Sequence, residues 1–266
     1  MSLTKRKVDL EFTGDIPKHW ANDDPFLSHW LNAYTLLIPD GERFIIRSCK
    51  KYSNNISLDL ADEIRGLYYQ EGQHSVQHKK ALDVFQQQGY RVNWFKVWSS
   101  FICYRILEPI FPNVSALSTA SAIEHINAVV AEHFLSSDNF FETSSKQMGQ
   151  MFAWHFAEEI EHKSVVFDVL NQVNKNYLLR LFGLITTFFT FVAFLYLAAF
   201  VFAFQDRSIF RMEFWRGFYR FNIKEKFLGK LLHASGLYMK SKFHPVDVDN
   251  EHLVDRGITI FQTLRG

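Results

Sequence analysis

The sequence predicts an all-α protein organised around a four-helix bundle, and three observations lead there. Long segments with helical apolar periodicity run uninterrupted by proline. Only 6 prolines and 12 glycines punctuate 266 residues, which disfavours a many-turned β architecture. One chemical unit occurs twice inside such segments, a carboxylate followed three residues later by an imidazole: Glu71-Gly72-Gln73-His74 and Glu159-Ile160-Glu161-His162. Three residues is close to one helical turn, so each pair shares a face.

Taken in order, residues 1–24 read as irregular and end at Asn22-Asp23-Asp24-Pro25, a capping acid before proline at the first helical position. The first helix runs to Leu37, is interrupted by Pro39-Asp40-Gly41, and resumes at Glu42 as far as Tyr52. Ser57 caps the second, which reaches Gln88 and stops at Gly89. Residues 91–113 are aromatic-rich and bounded by Pro109 and Pro112. A third helix covers 115–136 and closes at Ser136-Ser137-Asp138; a fourth covers roughly 143–173, with Thr143 as its cap. These elements make a first unit, residues 1–175.

The second unit, residues 176–266, has a different character. Leu181 to Phe204 carries no charge and is bracketed by Arg180 and Asp206. As a helix this run is about 36 Å long, enough to enter or cross a hydrocarbon core. We therefore expect a membrane-inserting helix over 181–204, spanning or re-entrant. Behind it a basic, aromatic-interleaved tail (Arg207, Arg211, Trp215, Arg216, Tyr219, Arg220, Lys224, Lys226, Lys230) suits an amphipathic helical region on anionic lipid.

Composition narrows the function classes. A net charge of +1 supplies no field for nucleic acid. Cys49 and Cys103 stand far apart without CxxC spacing, which argues against a disulfide framework and a thiolate metal site. The polar N-terminus shows no secretory signal, so a cytoplasmic face of the inner membrane is expected.

Charged groups inside an apolar bundle are costly unless they bind metal or one another. His155, Glu159 and His162 lie at i, i+4 and i+7 and face one way; Glu71, His74 and His78 form a matching stripe. Lone carboxylates come from Glu42 and Glu124. Two Glu-x-x-His pairs with two further Glu residues are the ligand set of two-metal carboxylate bundles. The expected ligands are thus Glu42, Glu71, His74, Glu124, His155, Glu159 and His162, with His78 orienting a ligand from behind. Glu158 and Glu161 point about 100° and 200° from Glu159, toward the edge and the solvated face. His125, His133 and Glu132 fall off the Glu124 direction and read as helix-surface residues. His19, His29, His233, His244 and His252 carry no supporting pattern.

The stretches Pro39-Asp40-Gly41-Glu42-Arg43-Phe44, Gln70-Glu71-Gly72-Gln73-His74-Ser75-Val76-Gln77-His78, Ile123-Glu124-His125 and His155 through Lys163 resemble the bacterial family of predicted metal-dependent hydrolases. The resemblance covers about residues 20–175 and implies a ferritin-like di-metal bundle. The His155-x-x-x-Glu159-x-x-His162 arrangement is also similar to p-aminobenzoate N-oxygenase-type di-iron enzymes, where an extra histidine joins the set; that likeness carries only to His155.

Carboxylate and imidazole ligands suit iron or manganese, with zinc as an alternative. The leading expectation is a membrane-associated non-haem di-iron oxidase or oxygenase. It activates O2 against a hydrophobic or lipid-like small molecule and needs an external electron donor, supplied by an electron-transfer protein. The alternatives are a di-metal hydrolase of esters or phosphoesters, in which water is made nucleophilic, and a non-catalytic metal-binding or structural membrane bundle. Expected partners are membrane lipid and the hydrophobic substrate.

Overall fold

Asp24 opens the first helix, α1 (Pro25–Lys50), by accepting the Phe26 and Leu27 N–H groups on its carboxylate while Pro25 fills the first helical position. The computed structural model describes residues 3–12, 16–137 and 139–265. Helix α1 runs through Pro39-Asp40-Gly41 without the expected interruption. A proline inside a helix costs about 3 kcal/mol. Burial of nearly the whole of α1, from Pro25 to Cys49, offsets that local cost.

Ser57 caps α2 (Leu58–Gln87) through the Leu60 N–H, and Gly89 ends it at φ +97°. Helix α3 (Asn93–Ser100) continues through a wide turn, Phe101–Leu107, to Glu108–Ile110. Helix α4 spans Asn113–Leu135; of the closing turn expected after it, Asp138 lies outside the described residues. The expected fourth helix is two: α5 (Lys146–Glu161) and α6 (Val165–Val173), with His162 at the break. The adjoining Lys163 ammonium is held by the Val248 carbonyl and the Asn250 side chain, both at 2.7 Å. Then follow α7 (Tyr177–Gln205), α8 (Met212–Tyr219), α9 (Phe227–Tyr238) and α10 (His252–Arg265). No strand occurs among the described residues.

Helices α1, α2, α4 and α5 surround the interior, and α10 packs along the outer side of α5. One apolar core joins them, from Trp30 and Phe85 through Phe152 and Phe156 to Phe202 and Phe214.

Helix α7 is long and apolar enough to cross a membrane. One face lies on the bundle, with Leu184, Leu195, Ala198, Ala199 and Phe202 buried. The opposite face leaves Ile185, Phe189, Leu197 and Phe204 exposed. Its approach to α4 is close: Ser118 Oγ donates to the Leu179 carbonyl at 2.7 Å, and Thr187 Oγ1 to the Thr119 carbonyl at 3.3 Å. Gly183 makes this possible, since a Cβ there would sit 2.4 Å from the Ser118 carbonyl oxygen. Backbone cannot yield as a flexible side chain does, and overpacking of this kind costs about 1–3 kcal/mol. Gly183→Ala should therefore lower the thermal unfolding midpoint of the full chain, whereas an α7 standing free in lipid would leave it unchanged.

Candidate metal centre

Four helices bring the seven expected ligands together in the interior of the helical fold. Glu42 comes from α1, Glu71 and His74 from α2, Glu124 from α4, and His155 and Glu159 from α5, while His162 sits at the C-terminal end of α5. All seven are buried, none more than 1 % exposed. Three overlapping groups have ligand atoms within 4.8 Å of one another: Glu42 with His74 and His155; Glu71 with Glu124 and His162; and Glu71 with His74 and Glu159.

His162 shows what the arrangement demands. Its Nε2 lies 3.3 Å from Glu71 Oε1, 3.2 Å from Glu124 Oε2 and 3.2 Å from Glu159 Oε2. A single ring N–H serves one of these, not three. Both carboxylate oxygens of Glu71 and both of Glu124 are buried without a hydrogen-bond partner, as are Glu42 Oε1 and His74 Nδ1. Unmade hydrogen bonds on buried charged groups are expensive. Orphaned oxygens and nitrogens converging on shared points are what cations of a mixed carboxylate–imidazole site would satisfy.

The electrostatics follow from this crowding. Burial raises Glu42 well above the ordinary carboxylate range, and pushes Glu124 up to about 8, with the neighbouring Glu71 charge adding to it. Burial also acts on Glu159, but the His162 charge and the contacts of the His155 and His162 rings outweigh it and hold that carboxylate low. His74 and His162 are driven up by surrounding carboxylates despite burial. Burial and the nearby His74 push His155 down to about 4, and His78 also falls well below its ordinary value.

Around the seven lies a shell of fixed partners. His78 Nε2 is 3.2 Å from His155 Nδ1. The Tyr34 hydroxyl donates to Asn127 Oδ1 at 3.2 Å and lies 3.3 Å from His155 Nε2. Ser75 donates to Glu42 Oε2 at 2.6 Å, and His162 Nδ1 meets Gln70 Oε1 at 3.1 Å.

Several expectations are corrected here. Glu158 does not lie at an exposed edge: it is fully buried, accepting from His74 Nε2 at 3.0 Å and from Arg6 at 3.1 Å. Glu161 does not face solvent freely, being held by Arg6 and Gln70. The reason is the N-terminal segment, whose Arg6 reaches across this face; periodicity within one helix cannot report a cover supplied from 150 residues away. His125 and His133 are likewise buried, under α9 and the segment before it: His125 Nε2 meets the Ala234 carbonyl at 3.0 Å, and the His133 ring packs against Phe221 and Phe227. His29 is fully buried beside Asp206. Arg6, Tyr34, Gln70 and Ser75 were not singled out from sequence, and only Gln70 and Ser75, adjoining the first Glu/His pair, carried a local signal.

A family model described as predicted metal-dependent hydrolase matches residues 4–249. The chain belongs to this family. No curated protein and no solved structure matches it. The match covers α1 to α6 and continues through α7, α8 and α9 of this predicted metal-dependent hydrolase. It overturns the oxidase or oxygenase expected from the ligand set. Carboxylate and imidazole ligands serve two-metal hydrolysis as well as oxygen activation, so the ligand types alone did not select the reaction. The matched family is the hydrolase one, and the N-oxygenase likeness receives no support from it.

Replacing the charged acceptor of His74 Nε2 by a neutral amide should loosen metal binding. Glu158→Gln is expected to lower metal affinity about 10–100-fold, read by competition with a chelating dye, with helicity retained. Metal uptake should also release protons, because Glu124 and His162 hold them when metal is absent. Affinity should therefore rise as pH increases toward about 8; calorimetry in two buffers of different ionisation enthalpy measures the released protons.

Proposed function

We propose that this chain is a membrane-associated di-metal hydrolase acting on a hydrophobic ester or phosphoester. Glu42, Glu71, Glu124 and Glu159 with His74, His155 and His162 hold two divalent ions of the iron, manganese or zinc class. The observation that carries the reading is the approach of three buried carboxylates to His162 Nε2. Family membership supplies the reaction class. Bound at such a site, two divalent ions lower the pKa of a water and polarise the scissile carbonyl or phosphoryl group.

The chain's own residues prepare the site in identifiable ways. Glu158, fixed by Arg6, takes the His74 Nε2–H and leaves Nδ1 free to ligate. Gln70 does the same for His162, accepting from Nδ1 and leaving Nε2 inward. His78 accepts from His155 Nδ1, so that His155 Nε2 also points inward. Its own charge stays off because burial lowers its pKa. The Tyr34 hydroxyl stays protonated, since burial and the surrounding carboxylates raise it well above 10, and with its proton on Asn127 its oxygen lies 3.3 Å from His155 Nε2.

The substrate class rests on a cavity beside the centre. A narrow, largely apolar cavity of about 80 Å³ lies between α1, α3 with its continuation, α4 and α7. Its wall includes Gly41 and Ile123, the residues next to Glu42 and Glu124. Two outer walls carry exposed apolar side chains: Trp98, Phe101 and Phe111 on one, Ile185 and Phe189 on the other. Those walls touch through Trp98 and Phe194, whose rings are 5.3 Å apart, and through Phe111 and Phe182 at 5.0 Å. A hydrocarbon chain entering from lipid would pass between them. Basic residues of the C-terminal region suit the anionic cytoplasmic leaflet.

Full-length protein loaded with iron, manganese or zinc is assayed without oxygen against carboxylic and phosphoric esters of graded chain length. Turnover should persist anaerobically, disappear on chelation, and fall at least about 100-fold in His162→Ala. Cys103→Trp, which fills the cavity without replacing a ligand, should slow long-chain esters and spare short ones. Anaerobic inactivity of the metal-loaded protein toward every ester would refute the hydrolase reading.

A further inference from the structure

A second cluster of ligating side chains lies away from the centre, at the far end of α7. His19 belongs to the turn before α1, His29 to α1 itself, and Asp206 follows the last residue of α7. Thirteen residues of α1 separate His29 from Glu42, about 20 Å along the helix. The His19 Nε2 and His29 Nε2 atoms each lie 2.9 Å from one oxygen, Asp206 Oδ2, and the Tyr90 hydroxyl donates to that same oxygen at 3.1 Å. The other carboxylate oxygen accepts the Ser208 N–H at 2.9 Å, and Ser208 Oγ lies 3.1 Å from His29 Nε2.

From this we propose that His19, His29 and Asp206 form a third metal site, with zinc as the fitting ion, fastening the end of α7 to α1 and the N-terminal turn. Two imidazoles and a carboxylate are a zinc donor set, with a fourth position left for water. Their three ligand atoms lie within 4.8 Å of one another, as do those of the groups at the main centre. Tetrahedral bonds of 2.0–2.1 Å place ligand atoms about 3.4 Å apart, so the 2.9 Å separations here open only slightly.

The surroundings hold the donors in place. The His29 ring is stacked on Phe202, 6.1 Å between centroids, and stands edge-on to Tyr90 at 5.8 Å. It is fully buried, and its Nδ1 has no hydrogen-bond partner. His19, 28 % exposed in its side chain, forms the open rim. Asp206 lacks a strong cation: among the described residues no lysine or arginine pairs with it, and its ion-pair partners are the two imidazoles. A divalent cation supplies the positive charge that this pocket lacks.

The test is zinc content of tag-free, full-length protein after loading and removal of excess. Asp206→Asn keeps the side-chain shape, and His19→Ala alters only the rim; each should bind one zinc equivalent fewer than the unaltered chain. A variant with the main centre disabled, Glu71→Gln with His162→Gln, should retain one equivalent, and zinc should raise its unfolding midpoint. Adding Asp206→Asn to that variant should abolish both effects. Unchanged zinc content in Asp206→Asn and His19→Ala, with circular dichroism like that of the unaltered chain, would overturn the third site. This readout is independent of hydrolysis, so it stands or falls apart from the proposed activity.

Discussion

Four carboxylates and three imidazoles buried inside an apolar helical core are the constraint around which the rest of this structure is arranged. Groups of this kind leave water at a cost of several kcal/mol each unless opposite charge or hydrogen bonds replace it. The fold replaces only part. Glu158, Gln70, Ser75 and His78 take up the outward-facing atoms, while Glu71 and Glu124 keep both oxygens unpartnered toward the interior. A cation bound among them would complete what the fold leaves open. The same logic, on a smaller scale, applies where His19 and His29 meet Asp206.

Helix α7 links this interior to an outer apolar surface. Its inward face joins the common core, and Phe191 sits against Tyr34, whose hydroxyl reaches His155. Its outward face and the neighbouring α3 with its continuation carry exposed large apolar side chains, among them Phe189, Phe204, Trp98 and Phe101. The cavity between those two walls adjoins Glu42 and Glu124 through their chain neighbours Gly41 and Ile123. Packing and chemistry are therefore joined: the element suited to lipid also forms a wall of the space beside the ligands.

Much of the clustering of Glu and His side chains was legible because helical spacing fixes which side chains share a face. The two Glu-x-x-His units, and His155 a turn before Glu159, needed only that periodicity. Glu42 was legible despite a misplaced break at Pro39, since the helix resumed in register. What periodicity could not show is what covers each helix from outside. Glu158 read as an edge residue because Arg6, which pairs with it, lies in a segment without regular pattern. His29 read as unsupported because its partners, His19 and Asp206, arrive from the turn before α1 and from beyond α7. The reaction class was illegible for a different reason: the same ligand types support hydrolysis and oxygen chemistry, and family membership decided between them.

Anomalous diffraction from crystals of the metal-loaded protein, collected at the absorption edge of the bound metal, tests the main centre most directly. Two peaks about 3.5–4 Å apart, lying among Glu42, Glu71, Glu124 and Glu159, are the result expected. No peak among those four carboxylates, in protein carrying stoichiometric metal, would contradict the account.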